Sequence, residues 1–543
     1  MPALRPLLIA ALLLALSAAL PAPRVAYAAG VVGSGTPASC TEADLAAKLS
    51  GGGTITFNCG PSPATIAITS EKLISADTTL DGGGKITLHG NGATRILRTI
   101  DGTFNGTAVL KVINVTIQGL TIENGVTNDQ GGAIRVGFWN NFTLKDSTLR
   151  DNRATKDDAN CAGGGALFIG GGSTARIEGS SFSNNTTNNH GGGLFAGLYP
   201  NEAIEISGTT FDGNVVTKAS TKDSSGTGGG IWYGSATGAA NNATFTLKDS
   251  TLSRNKAVGQ GGGFWTSAGA TISNVTFFGN DATDSSISDP DDWRRGNGGA
   301  LAVNNNAPIA ITNATFANNH SGFNGGAVAG GSTVTVKNTL FANNTTDWPI
   351  KIMQHCTNAL TDGSNNMQFP AKNPNPNFFN ETNCTNSITI ADPQLGALAD
   401  NGGRTQTMAL PNASPAVGAG NNATCPATDQ RGVARPQGAS CDIGAFELVL
   451  ALALSPGFAG VGGPGFTLTV TGSGFGVASK VLWDGQERPT TFVSATTLRA
   501  AIAASDISVV GDVPVSVSVA TLPAVDFRVV AQVTRVYLPL LRH

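Results

Sequence analysis

The sequence predicts an all-β chain in which a parallel β-helix precedes a small β-sandwich. Three observations carry this expectation. A two-part phrase repeats seven times between residues 131 and 344. Within each phrase apolar and polar residues alternate with a period of two, the pattern of a strand with one buried face. From Leu454 onward the repeat gives way to Thr- and Val-rich strands separated by turns.

Each phrase opens with Gly-Gly-(Ala/Gly) and an apolar residue, starting at Gly131, Gly164, Gly191, Gly228, Gly261, Gly298 and Gly325. Each closes with an apolar residue three places before an Asn: Leu149 and Asn152, Phe182 and Asn185, Phe211 and Asn214, Leu252 and Asn255, Phe277 and Asn280, Phe316 and Asn319, Phe341 and Asn344. The phrases span 20 to 28 residues and the linkers between them hold 5 to 17. A nearly constant core with variable linkers is what stacked coils with loops on one edge produce. Segments 243–252 and 270–277 are rich in Thr, Val, Ile and Phe, and no apolar period of 3.6 is sustained, which argues against a helical solenoid. Identical positions of neighbouring coils are expected to stack ~4.8 Å apart. The closing Asn is expected to take the left-handed conformation of a coil corner and to stack its amide into a ladder.

In chain order, residues 1–28 read as a signal peptide: Arg5, an apolar run at 7–20, and the small-residue cleavage site Ala26-Tyr27-Ala28. That run is short for the ~20 residues of a span, and no later stretch is long enough to cross a bilayer as a helix, so the mature chain is expected to be secreted or held at the cell surface. Seven cysteines suit an oxidising compartment. By proximity Cys40 pairs with Cys59, Cys356 with Cys384 and Cys425 with Cys441, leaving Cys161 alone. Thr41 is placed to cap a short helix that covers the open end of the first coil. Residues 54–124 supply the first, less regular coils. The β-helix with its cap is assigned to 29–390, a C-terminal region to 391–449, the sandwich to 450–531 and a tail to 532–543.

The repeats resemble those of the polymorphic outer-membrane protein group, within the right-handed parallel β-helix, pectate-lyase-like superfamily. Segment 41–125 resembles the first coils of bacterial surface proteins carrying a choice-of-anchor Q region. The resemblance to that region itself rests on Asp392-Pro-Gln-Leu-Gly-Ala-Leu, Asn401-Gly-Gly-Arg-Thr-Gln-Thr-Met-Ala-Leu, Ser414-Pro-Ala-Val-Gly-Ala-Gly, Asp429-Gln-Arg-Gly-Val-Ala-Arg-Pro and Cys441-Asp-Ile-Gly-Ala-Phe-Glu. Residues 450–531 resemble an IPT/TIG immunoglobulin-like domain. Polymorphic outer-membrane proteins usually end in a membrane β-barrel, and no matching segment is visible here.

For function, 33 Lys and Arg against 36 Asp and Glu give a formal charge of −3, which argues against nucleic acid as a partner. If the apolar residue after each Gly-Gly pair points inward, the next one points out. Phe168, Phe195, Trp232 and Trp265 then form an aromatic row on one face, a surface for stacking on sugar rings. The competing reading is that this row faces inward, or is covered by the linkers as a satellite core. The long linkers at 153–163, 215–227 and 281–297 carry Asp157, Asp158, Lys222, Asp223, Asp289, Asp291, Asp292, Arg294 and Arg295. Asp289, Asp291 and Asp292 are the candidate ligands for Ca²⁺, a cation that takes oxygen donors from loops; the competing reading is a solvated edge. No other cofactor is expected, since Cys and His lack zinc-ligand spacing and the glycine runs lack the context of a phosphate loop.

The function expected from these residues is an exported, non-catalytic β-helix protein of the cell surface or the medium, binding a polysaccharide or cell-surface glycan. A purely structural stalk is the second reading. A polysaccharide lyase or glycoside hydrolase of the same superfamily is the third. No catalytic residue is assigned, because the outward positions beside the glycines carry no Asp or Glu.

Overall fold

The structure is a computed structural model that describes residues 30–104, 109–156, 163–197, 199, 202–217, 226–234, 243–350, 352–372, 382–449, 452–472, 475–518, 522 and 524–531. The signal peptide, Cys161, the linker residues Asp157, Asp158, Lys222 and Asp223, and the tail lie outside these residues.

The repeat region is a parallel β-helix. One coil runs through Ile134–Val136, Asn141–Lys145, Thr148–Arg150 and Arg153–Ala154. The next repeats it with Leu167–Ile169, Thr174–Glu178, Ser181–Ser183 and Thr186–Thr187, paired residue for residue. Among the described residues the stacked coils form a nine-stranded face sheet after the glycine pairs, a 20-stranded long sheet holding two arms per coil, and an eight-stranded corner sheet. Period two sends Phe142, Leu144 and Leu149 into the core. Behind each glycine pair Ile134, Leu167, Leu194, Ile231, Phe264, Leu301 and Val328 stack in register and are fully buried. The closing aromatics stack too: ring centroids of Phe182 and Phe211, and of Phe277 and Phe316, lie 4.6 Å apart, close to the strand spacing.

Two corners explain the phrase. The first glycine of each pair is left-handed, with φ between 62° and 70°, where a side chain is strained. The second lets coils touch: a Cβ on Gly229 would lie 2.2 Å from the Gly262 carbonyl oxygen. At the closing corner the structure corrects the expectation. The left-handed residue is the one before each Asn, namely Asp151, Asn184, Gly213, Arg254, Gly279, Asn318 and Asn343. The Asn itself is buried, because its amide must be inside to bond the adjacent coils.

Those amides form a continuous ladder. Asn152, Asn185, Asn214, Asn255, Asn280 and Asn319 each donate from Nδ2 to the Oδ1 of the next Asn, at 2.8–3.0 Å. Each also donates its backbone N–H to that same oxygen. The last amide, Asn344, meets His355 Nδ1 at 3.2 Å, and His355 Nε2 lies 3.2 Å from the Pro370 carbonyl oxygen. Both contacts are satisfied by a neutral ring protonated at Nε2, and burial holds the His355 pKa down at about 4.

At the other end Glu42–Leu49 is the capping helix, with Thr41 Oγ1 accepting from the Asp44 N–H at 3.1 Å and Leu45 and Leu49 entering the core. The three disulfides pair as the spacing suggested. The C-terminal region, residues 391–449, lies as a strap along the flank of the long sheet. Arg404 reaches Asp146 at 2.6 Å, Thr251 donates to the Gln406 carbonyl at 2.6 Å, and Thr276 donates to Gln430 at 2.7 Å. Further along, Asn313 donates to the Asp442 carbonyl at 3.0 Å, and the Asn421 N–H donates to Asn338 at 2.8 Å. The strap therefore crosses several coils from the side.

Beyond 452 two sheets, of four and five strands among the described residues, close over Leu468, Val470, Trp483, Leu498 and Phe527 as an immunoglobulin-like sandwich. Thr496 donates from its hydroxyl to the strap at Asn401. Among the described residues no helix is long and apolar enough to cross a membrane.

Candidate functional site

The face sheet places Arg135, Phe168, Phe195, Trp232, Trp265, Ala302 and Ala329 in one register line, alternate to the core stack. The structure brings all four aromatics of this line together. Successive centroids lie 5.1, 4.2 and 5.1 Å apart, with interplanar angles of 13°, 7° and 7°. With Ala302 they form a hydrophobic cluster separate from the main core, so the sheet is packed on both faces.

An open platform of four rings is not what forms. Phe168, Phe195, Trp232 and Trp265 are only 2–7% exposed. The Arg135 guanidinium lies over the Phe168 ring at 5.7 Å. His190 flanks Trp232 at 5.3 Å, and Gln260 Oε1 accepts from Trp265 Nε1 at 3.2 Å. The row is thus covered, with Arg135, His190 and Gln260 packed against it. Trp232 Nε1, although buried, has no hydrogen-bond partner among the described residues.

The flanking residues occupy the position just before the glycine pairs, a column that sequence reasoning passed over. Bridges link Gly163, His190 and Thr227, then Gln260, Asn297 and Asn324, from coil to coil. Their signal was positional rather than compositional, since Gly, His, Thr, Gln and Asn share no chemistry that a motif would show.

Past Trp265 the line drops to Ala302 and Ala329, and a groove of about 310 Å³ opens over the two methyl groups. Gln260, Asn297, Asn304, Asn306, Asn358, Thr333 and Thr357 contribute its polar atoms, with Val303, Gly330 and Gly331 completing the lining. None of these residues carries a charge. Thr357 Oγ1 has no hydrogen-bond partner among the described residues.

The three acidic residues named for Ca²⁺ lie in one loop and have separate partners. Asp289 Oδ1 accepts from the Asp291 N–H at 3.0 Å, Asp291 Oδ1 accepts from Trp348 Nε1 at 2.7 Å, and the Asp292 carboxylate pairs with Arg294. The three carboxylates serve different partners, and among the described residues no three acidic, His or Cys side chains converge as a ligand group. Hydrogen bonding from Arg294 holds the Asp292 pKa below the ordinary carboxylate range. Arg295 is turned to Asp347 at 3.0 Å.

A buried charged cluster lies in the strap. Arg435 donates to Glu447 at 2.7 Å, Arg431 donates to Asp429 at 2.8 Å, and Asp429 accepts from the Glu447 N–H at 2.9 Å. Asp442 accepts from the Leu448 N–H at 2.6 Å, and the Arg431 guanidinium covers the Phe446 ring at 3.7 Å. All five charged residues are buried or nearly so. The segments 429–436 and 441–447 therefore recognise each other, which gives their charges a structural use.

One buried carboxylate stands apart. Glu202 accepts from the Tyr199 and Gly172 N–H groups at 3.1 and 3.3 Å, while its Oε1 and the nearby Tyr233 hydroxyl have no partner among the described residues. Burial raises the Glu202 pKa to about 8.

No curated protein and no solved structure matches the chain. Residues 452–537 match the IPT/TIG domain family, so the C-terminal sandwich is an IPT/TIG domain, and the match takes in six residues of the segment first read as a tail.

Proposed function

We propose that this chain is an exported, non-catalytic protein of the cell surface or the surrounding medium whose face sheet binds glycan. The observation that carries the proposal is the line of stacked aromatics ending in an uncharged, amide-rich groove. Phe168, Phe195 and Trp232 act as the rigid spine of this face, and Trp265 is its last ring before the groove. Rigidity matters because a preformed site loses little ordering entropy when a flexible polymer docks. The strap plays the part of a choice-of-anchor Q region and the repeats that of polymorphic outer-membrane-type coils. An IPT/TIG domain fits a surface or adhesion-type role, and three disulfides are consistent with an extracellular setting.

The test is affinity electrophoresis of the chain from residue 29 through gels holding neutral and acidic polysaccharides. Retardation with polymer length unchanged is the expected outcome. Retardation with polymer shortening would replace this reading by an enzyme, and migration unaffected by every polymer would leave a structural stalk.

A further inference from the structure

The groove lies where a line of stacked rings stops. Trp232 and Trp265 stack nearly parallel with centroids 5.1 Å apart, close to the strand spacing. One coil further along the axis, the register partner of Trp265 is Ala302, and one coil beyond that is Ala329. The space that a fifth and sixth ring would fill is the groove. Trp265 itself is buried in the aromatic cluster, and the groove is floored by the methyl groups of Ala302 and Ala329.

The rim has a definite chemistry. Four Asn and one Gln offer both donors and acceptors, as hydroxyl groups do, and two Thr add hydroxyls. Because no Lys, Arg or His lines the groove among the described residues, a carboxylate or sulfate placed there would lose water without gaining a counter-charge from them. A volume of about 310 Å³ is at the lower end of the ~300–1,000 Å³ typical of small-ligand sites. That suits a short segment of a polymer.

We infer that this groove binds a neutral pyranose unit of a polysaccharide, with the sugar ring taking the place of the missing aromatic over Ala302. The carbon-bound hydrogens of its apolar face lie against the methyl groups of Ala302 and Ala329. Its equatorial hydroxyls reach the amides of Asn297, Asn304 and Asn358. The inference rests on the glycan-binding reading and names the site and the ligand class.

The experiment uses the chain from residue 29, with Ala302→Trp to fill the groove by extending the existing stack, and Asn304→Ala and Asn358→Ala at exposed rim positions. Neutral polymers (hydroxyethyl cellulose and galactomannan) are compared with polygalacturonate by affinity electrophoresis, and thermal unfolding of each variant reports folding. The expected result is binding of a neutral polymer over polygalacturonate, weakened about tenfold or more by Ala302→Trp and severalfold by each Asn change. A folded Ala302→Trp protein that binds as tightly as the parent overturns the groove assignment while the glycan reading stands. If that variant does not fold, unchanged binding by both Asn variants overturns it in the same way. Preference for polygalacturonate overturns the ligand class, and no binding to any polymer overturns both readings.

Discussion

Replacing Asn255 by Ala tests whether the amide ladder holds the coils together. Asn255 Oδ1 accepts from the backbone N–H of Asn214 at 3.0 Å and from its Nδ2 at 2.9 Å, while Asn255 Nδ2 donates to the Phe211 carbonyl and to Asn280 Oδ1, both at 2.9 Å. Truncation removes all four bonds. Asn214 Nδ2 keeps the Phe182 carbonyl and Asn280 Oδ1 keeps the Asn255 N–H, so two of the four partners remain bonded elsewhere. The Asn214 backbone N–H is buried and retains no acceptor. An orphaned buried donor costs about 1–3 kcal/mol, and the other three lost bonds about 0.5–1 kcal/mol each, giving a total of about 2.5–6 kcal/mol. Because each coil contacts its neighbours alone, the loss should appear locally before it appears globally. Hydrogen exchange read by peptide mass spectrometry should show protection falling between residues 203 and 303, with a lowered urea midpoint. Asn255→Asp should be worse near neutral pH, because it replaces two donors by a buried charge facing two oxygens. A loss below about 1 kcal/mol with unchanged exchange would show that backbone pairing suffices and refute the ladder argument.

Three further outcomes follow from buried charge and its removal. The folded pKa of Glu202 lies near 8, above its ordinary 4.5, so the folded state holds the extra proton between these values. Its contribution is therefore greatest below pH 4.5 and is lost as pH rises through 8, by up to about 1.4 kcal/mol per unit. Glu202→Gln should raise the melting temperature at pH 7–9 and leave it unchanged near pH 4; superimposable pH profiles would contradict this. For His355 the folded pKa lies near 4, below its ordinary 6.5, so its contribution is intact above pH 6.5 and lost as pH falls to 4. Hydrogen exchange in the last coils should accelerate across that window, and a nitrogen-15 spectrum at pH 6 should report a neutral ring protonated at Nε2. Arg435→Met leaves Glu447 buried without its partner and should cost about 3–5 kcal/mol, with protease cleavage appearing first within 391–449; an undiminished melting temperature would refute the lock.

Much of the fold was legible because a solenoid writes its geometry locally. The glycine pairs, the inward apolar stack, the cap at Thr41 and the cysteine pairs each arise from neighbours in sequence or from one repeat length. Three features were not. Period two tells which face of a strand a side chain takes, but not what lies above that face, so the covered aromatics and the open groove read alike as outward positions. Asn at a corner suggested a left-handed residue, yet the buried ladder claims the Asn and moves the turn to the residue before it. The strap joins residues as distant as Asp146 and Arg404, 258 positions apart, and no periodicity marks such a pairing.

In a repeat array every coil offers the same positions in straight lines, so a site is most simply made by interrupting a line. The face-sheet line carries aromatics for four coils and then Ala at two successive coils. The Asn ladder and the core stack run past the same point without interruption. Loss of side-chain volume on one line, with the others intact, leaves the backbone registered on both sides of the gap. Such a gap keeps rigid walls instead of collapsing, because the adjoining coils are fixed by ladders that do not pass through it. The strap reinforces this from the flank, binding Thr251, Thr276 and Asn313 across the coils that lie behind the groove and just before it. The position of the groove thus follows from the logic of the repeat: the coils supply rigidity, and two alanines supply the opening.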